Sequence, residues 1–98
     1  MPYIYNFEWD PEKAQSNLKK HAVTFEESAT VFKDPNALSL FDPDHSENED
    51  RWVTLGLSEK TRLLVVIHTF LEKIDGTVMI RIISSRKATK QELLTYGE

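Results

Sequence analysis

Hydrophobic positions along this chain change period several times, and each change marks an element. The opening YIYNFEW alternates and is rich in aromatics, which predicts a strand. DPEK then starts a helix, with Asp10 as N-cap and Pro11 at the first helical position, where a missing N–H costs nothing. This first helix, to about Lys20, is mostly polar and carries only Ala14 and Leu18 at helical spacing. After HAVT, Thr24 and Glu27 form the start signal of a second helix, with Phe25, Ala29 and Phe32 on one face and KDPN at its end.

Period two then takes over. ALSLF is a short strand, DPDHSENED an acidic loop, and RWVTLGLS, RLLVVIHTFLE and TVMIRIISS are three further strands. The last two are joined by KIDG, an Asp-Gly hairpin signal. The middle one is apolar on both parities (Leu63, Val65, Ile67 and Leu64, Val66, Phe70), so it belongs at the centre of a sheet with both faces covered. Thr89 and Glu92 make another capping box and open a short C-terminal helix. The order predicts a small α+β fold: strand, two helices, four mostly antiparallel strands and a short helix, with the helices on one sheet face. Residues 1–98 form a single domain.

Composition excludes more than it selects. With 40% hydrophobic and 29% charged residues the chain is globular in character, and without cysteine it has neither disulfides nor thiolate metal ligands. No basic-then-apolar leader opens it and no apolar run reaches spanning length, so a cytoplasmic protein with no membrane role is expected. The net charge of −4 conceals an asymmetry. Eleven of the 16 acids lie at or before Asp50, whereas eight of the 12 lysines and arginines, including every arginine, lie from Arg51 on. Halves of opposite sign can serve two different partners.

The candidate chemistry sits in the basic half. Arg81 interrupts a run of isoleucines, with Val78, Ile80 and Ile82 on one parity and Met79, Arg81 and Ile83 on the other. It is either an edge arginine with its head in water or a cation held on a rigid strand to bind phosphate. From Arg81 to Lys90 there are four cations (Arg81, Arg86, Lys87, Lys90) and no acid, next to a helix N-terminus, which favours the second role. His68 shares the parity of Leu64, Val66 and Phe70; it is a core residue or a general acid or base. His21 suits a helix C-terminus. His45 lies among carboxylates whose spacing matches no EF-hand, so DPDHSENED reads as a solvated loop. No HExxH, Walker loop, GxSxG or GxGxxG occurs.

Two stretches carry a resemblance: WDPEKAQSNLKKH near the start and RIISSRKAT near the end, with EDRWVTLG and RLLVVIHT between them. Over nearly its whole length the chain resembles the BrnT family, ribonuclease toxins of bacterial type II toxin–antitoxin pairs with a RelE-like fold. The resemblance implies an endoribonuclease that needs neither metal nor cofactor, in which the ribose 2′-OH attacks the adjacent phosphorus and translation stops. It implies catalytic roles for Arg51, Arg81 and Arg86, with His68 and Tyr96 as further candidates, and RNA contacts from Lys87, Lys90 and Arg62. It implies a BrnA-like ribbon-helix-helix antitoxin, contact with DNA only through that partner, and a hetero-oligomer. Ser85 and Leu93 stand where relatives often have alanine and a basic residue, thinning the basic face. A non-catalytic RNA- or antitoxin-binding module acting in repression of its own operon is the alternative. The acidic loop and the polar first helix are the expected steering surface for the antitoxin.

Overall fold

The computed structural model describes residues 4–97. Strand β1 (Ile4–Glu8) leads into helix α1 (Pro11–His21) and helix α2 (Phe25–Thr30), and then come β2 (Leu38–Phe41), β3 (Arg51–Leu57), β4 (Leu63–Thr69), β5 (Leu71–Glu72), β6 (Thr77–Lys87) and α3 (Lys90–Tyr96). The α+β order expected from the sequence is the order observed. Tyr3 of the expected first strand and Glu98 lie outside the described residues.

Local signals explain the helix ends. The Asp10 carboxylate accepts the Glu12 N–H with Pro11 behind it, and the Thr24 hydroxyl accepts the Glu27 N–H. At α3 the full capping box forms, Thr89 and Glu92 each accepting the other's backbone N–H. The second helix is shorter than its apolar spacing suggests. It tightens into a 3-10 turn at Val31–Lys33 because Asp34, preceding Pro35, takes an extended conformation.

The sheet runs β1-β6-β4-β3-β2, with β1 parallel to β6 and the other pairs antiparallel. The strand expected over RLLVVIHTFLE is broken at Phe70: β4 pairs the second half of β6, and β5 pairs the first half. At the break the Thr69 hydroxyl accepts the Arg81 N–H at 3.1 Å, standing in for a ladder bond. The Asp75-Gly76 turn closes the β5–β6 hairpin, with Gly76 at φ 87°, where a side chain would be strained.

Helices α1 and α2 pack on β6 and cover one face of the sheet. Val23, Phe25 and Val31 bury themselves there against Leu64, Val66, Val78, Ile80 and Ile82, with Tyr5, Phe7 and Phe32 alongside. Gly56 admits the 3-10 turn to this face, since a Cβ would lie 2.6 Å from Val31 Cγ1. The opposite face carries Arg51, Arg81 and Arg86. Helix α3 packs against β3, and Leu55 and Val65 are buried there, so not every helix shares one face as expected. This face is open chiefly at its Arg51–Arg81 end. Among the described residues no helix is long and apolar enough to cross a membrane.

One irregularity sets that open face. Ile67 pairs with Ser84 but His68 pairs with Ile82, so Ile83 is an extra residue on β6. Positions 81 and 86 differ by an odd number and would point to opposite faces of a regular strand. The bulge resets the alternation. Arg81 lies beside buried Ile82, and Arg86 beside buried Ser85, so both guanidiniums leave the sheet on the side away from α1 and α2. Asn17 of α1 secures this segment where β1 has already ended. Its side-chain amide donates to the Ser85 carbonyl at 2.8 Å and its carbonyl accepts the Ser85 N–H at 2.9 Å. The two sequence stretches singled out above are therefore in direct contact.

Candidate active site

Arg51 opens β3 opposite Thr69, and Arg81 donates its backbone N–H to the same Thr69 side chain. These two arginines therefore flank one residue at one end of the open face. Arg81 forms an ion pair with Glu49 of the acidic loop and lies across from Glu8 in the β1–β6 register. The groove around it, about 540 Å³, is lined by Glu8, Glu49, Asp50, Thr69, Phe70 and Arg81 among others. Arg51 contributes to a neighbouring hollow of about 300 Å³ with Asp44, His45, Glu47 and Glu49, and its Nε is buried without a hydrogen-bond partner among the described residues. The acidic loop is solvent-exposed along most of its length, yet it reaches Arg81 through Glu49. Asp42 anchors it, accepting the Asp44 N–H and holding His45 Nδ1 at 2.8 Å.

Arg86 belongs to the other end. Five residues of strand, one of them bulged, separate its backbone from that of Arg81 by roughly 13–17 Å. Its guanidinium forms a two-pronged pair with Glu92 at 2.8 and 2.9 Å, which draws the Glu92 carboxyl down to about 2. Lys87 and Lys90 are exposed beside it. Arg86 lies inside β6, which runs two residues beyond the strand expected from the sequence.

Three of the candidates have other occupations. His68 lies on the helix-covered face, 2% exposed, with Phe32 edge-on at 4.7 Å. Burial pushes its pKa down to about 4, against a smaller opposing effect of the Thr69 carbonyl that Nδ1 meets at 2.8 Å. It is neutral near pH 7 and the sheet separates it from the arginines. Arg62 donates to the buried Glu27 carboxylate and to the Ala22 carbonyl, so it ties the β3–β4 turn to α2, while its side chain stays partly exposed and lines a surface hollow with Lys87 and Lys90. Tyr96 donates its hydroxyl to Asp34 at 2.6 Å, an anchor for α3 that raises the phenol's pKa.

Carboxylates were the missed element. Glu8 and Glu49 meet at Arg81 from strand and loop, and nothing in their sequence spacing from one another or from Arg81 announces it. Among the described residues, no group of three or more His, Asp or Glu side chains is placed to hold a metal ion.

A sheet face bearing three arginines, with Asn17 holding Ser85 just beyond the bulge that aligns two of them, sets the context for the comparison with known families. The profile of the family described as "Ribonuclease toxin, BrnT, of type II toxin-antitoxin system" matches residues 9–92. The chain belongs to the BrnT family. No curated protein matches the sequence closely enough to count as a relative. Membership in a family of ribonuclease toxins makes RNA the substrate class and an antitoxin the partner class. In BrnT terms, the matched span contains Arg51, Arg81 and Arg86 and leaves out Glu8 and Tyr96.

Proposed function

We propose that this protein is a cytoplasmic, metal-independent endoribonuclease that stops translation and is neutralised by a BrnA-like ribbon-helix-helix antitoxin, through which the hetero-oligomer contacts DNA. The observation that carries the reading is the bulge at Ile83, which puts Arg81 and Arg86 on the same sheet face as Arg51. In this mechanism the scissile phosphate sits at Arg81 with Arg51 beside it, and Arg86, Lys87 and Lys90 hold the adjoining backbone. Glu8, fixed on β1 across from Arg81, accepts the 2′-OH proton as O2′ attacks phosphorus. The bond from phosphorus to the 5′ oxygen breaks, and that oxygen takes a proton from water. The products are a 2′,3′-cyclic phosphate and a 5′-hydroxyl. Fixed guanidiniums stabilise the extra negative charge of the transition state, and their planar forks match phosphate oxygens. Glu49 must leave Arg81 for the phosphate to enter.

A second reading has its own support. Arg81 and Arg86 are both occupied by carboxylates of the same chain, which suits a module that binds its antitoxin and no longer cleaves RNA. The test separates the two. Antitoxin-free protein is incubated with single-stranded RNA in EDTA, and the ends of any fragments are analysed. Cleavage to cyclic-phosphate ends is expected. Arg81→Ala should lower turnover by roughly 10²–10³, the scale for one preorganised donor, and leave the fold intact. Strict dependence on added divalent metal would overturn the mechanism, and no cleavage under any condition would favour the binding module.

A further inference from the structure

Near the Arg81 groove, toward the helix-covered side, lies a second hollow of about 150 Å³, lined by Tyr5, Phe32, Ser39, Trp52, His68 and Phe70. Four of the six are aromatic hydrocarbon or phenol rings or indole, and the fifth ring is the buried imidazole. Phe70 lines both this hollow and the Arg81 groove, so the two are neighbours across one side chain.

The polar atoms at this hollow have a fixed sense. His68 Nδ1 faces a carbonyl, which only accepts, so Nδ1 carries the proton of the neutral ring and Nε2 accepts. The Thr54 hydroxyl, 2.6 Å from Nε2, must then donate to it. With that hydrogen committed, Thr54 Oγ1 can only accept from the Ser39 hydroxyl at 2.7 Å. The relay therefore ends in the Ser39 oxygen, whose lone pairs remain available as an acceptor. Trp52 lines the same hollow, and its buried indole N–H has no hydrogen-bond partner among the described residues, so a donor is on offer beside the acceptor. Phe41 and Phe70 stand at 5.3 and 6.3 Å from the Trp52 ring and hold it in place.

We infer that this aromatic hollow is a nucleobase pocket, which takes an unstacked base of single-stranded RNA. Flat aromatic walls suit the π-face of any base, and single-stranded recognition rests largely on such stacking. One donor and one acceptor match the donor and acceptor that every base carries on its edge. An apolar ligand would leave the Trp52 N–H buried and unpaired, and a charged one would meet mostly aromatic surface. His68 acquires a task here as a positioning residue: kept neutral, it orients the Thr54 and Ser39 hydroxyls. The inference rests on the RNA-cleaving reading for its ligand class and is separable from it by experiment.

The chain has two tryptophans, so Trp9→Phe leaves Trp52 as the one fluorophore of its kind. That protein is titrated with a single-stranded deoxyoligonucleotide, which lacks the attacking 2′-OH and is not cut, and with an abasic oligomer of equal length. Saturable quenching of Trp52 by the base-bearing strand alone is expected. Ser39→Leu, which fills the mouth of the hollow from an edge strand, should weaken that binding about tenfold or more, the scale of one base–aromatic stack. Equal quenching by the abasic strand, or no quenching by either, would overturn the pocket. So would unaltered binding and RNA cleavage in a folded Ser39→Leu variant. Base-dependent quenching in a protein that cuts no RNA would uphold the pocket and remove the catalytic reading instead.

Discussion

His68 shows how burial selects among the roles a residue type allows. Its parity with Leu64 and Val66 was legible in the sequence, but parity alone left both a core histidine and a general base open. The structure adds the Phe32 ring, the Thr69 carbonyl and the Thr54 hydroxyl, and together they leave a neutral, enclosed imidazole. The unfolded chain binds a proton at His68 near pH 6.5, and the folded chain does so only near 4. Between those values the unfolded state holds more protons, so His68 neutrality favours folding fully above about pH 6.5, and that contribution is lost as pH falls toward 4. The loss amounts to on the order of 3 kcal/mol if the whole interval acts. Urea unfolding at pH 7 and pH 4.5 should therefore show a steep decline in the native protein. In His68→Gln the decline should be shallower, whatever its absolute stability. Parallel declines would mean that the carboxylates with lowered pKa, Glu27, Asp34 and Glu92, carry the acid sensitivity by themselves.

At the scale of elements, every strand and helix except the two-residue β5 was visible as period and cap, because local propensity and tertiary packing agree in this chain. What stayed hidden depends on pairing. The parallel partnership of β1 with β6, the break at Phe70 and the bulge at Ile83 are properties of register, and no residue of IRIISS marks the extra position. The same holds for the loop DPDHSENED. Its five carboxylates read as solvated surface, yet Glu49 closes on Arg81 and the hollow beside it takes in Arg51. An exposed ion pair of this kind contributes little stability. It does, however, compete with phosphate for the guanidinium. Glu49→Gln should therefore bind single-stranded RNA more tightly, by several-fold, and with a steeper dependence on salt as one more cation engages phosphate. Fluorescence anisotropy of a labelled, uncleavable strand across a salt series measures both. Weaker binding in Glu49→Gln would instead make Glu49 a direct contributor to the RNA site.

Over the whole molecule, the division of charge along the chain is only partly a division in space. The acidic loop lies against the open face at its Arg51–Arg81 end, while Arg86, Lys87 and Lys90 keep the other end basic. Such a surface offers two fields to two partners: phosphate meets the α3 end first, and a basic partner meets the loop. The loop's five carboxylates are not equivalent in this. Asp42 is committed to the Asp44 N–H and His45, and Glu49 to Arg81, whereas Asp44, Glu47 and Asp50 have no ion pair among the described residues. Complementary charge at a rim raises encounter rates more than final affinity. If the antitoxin approaches the loop through basic side chains, neutralising Asp44, Glu47 and Asp50 together should slow association several-fold at low salt. It should also flatten the salt dependence and leave dissociation nearly unchanged. Stopped-flow mixing with the antitoxin at low and physiological ionic strength distinguishes this from a purely solubilising loop, for which the association rate at low salt would not change.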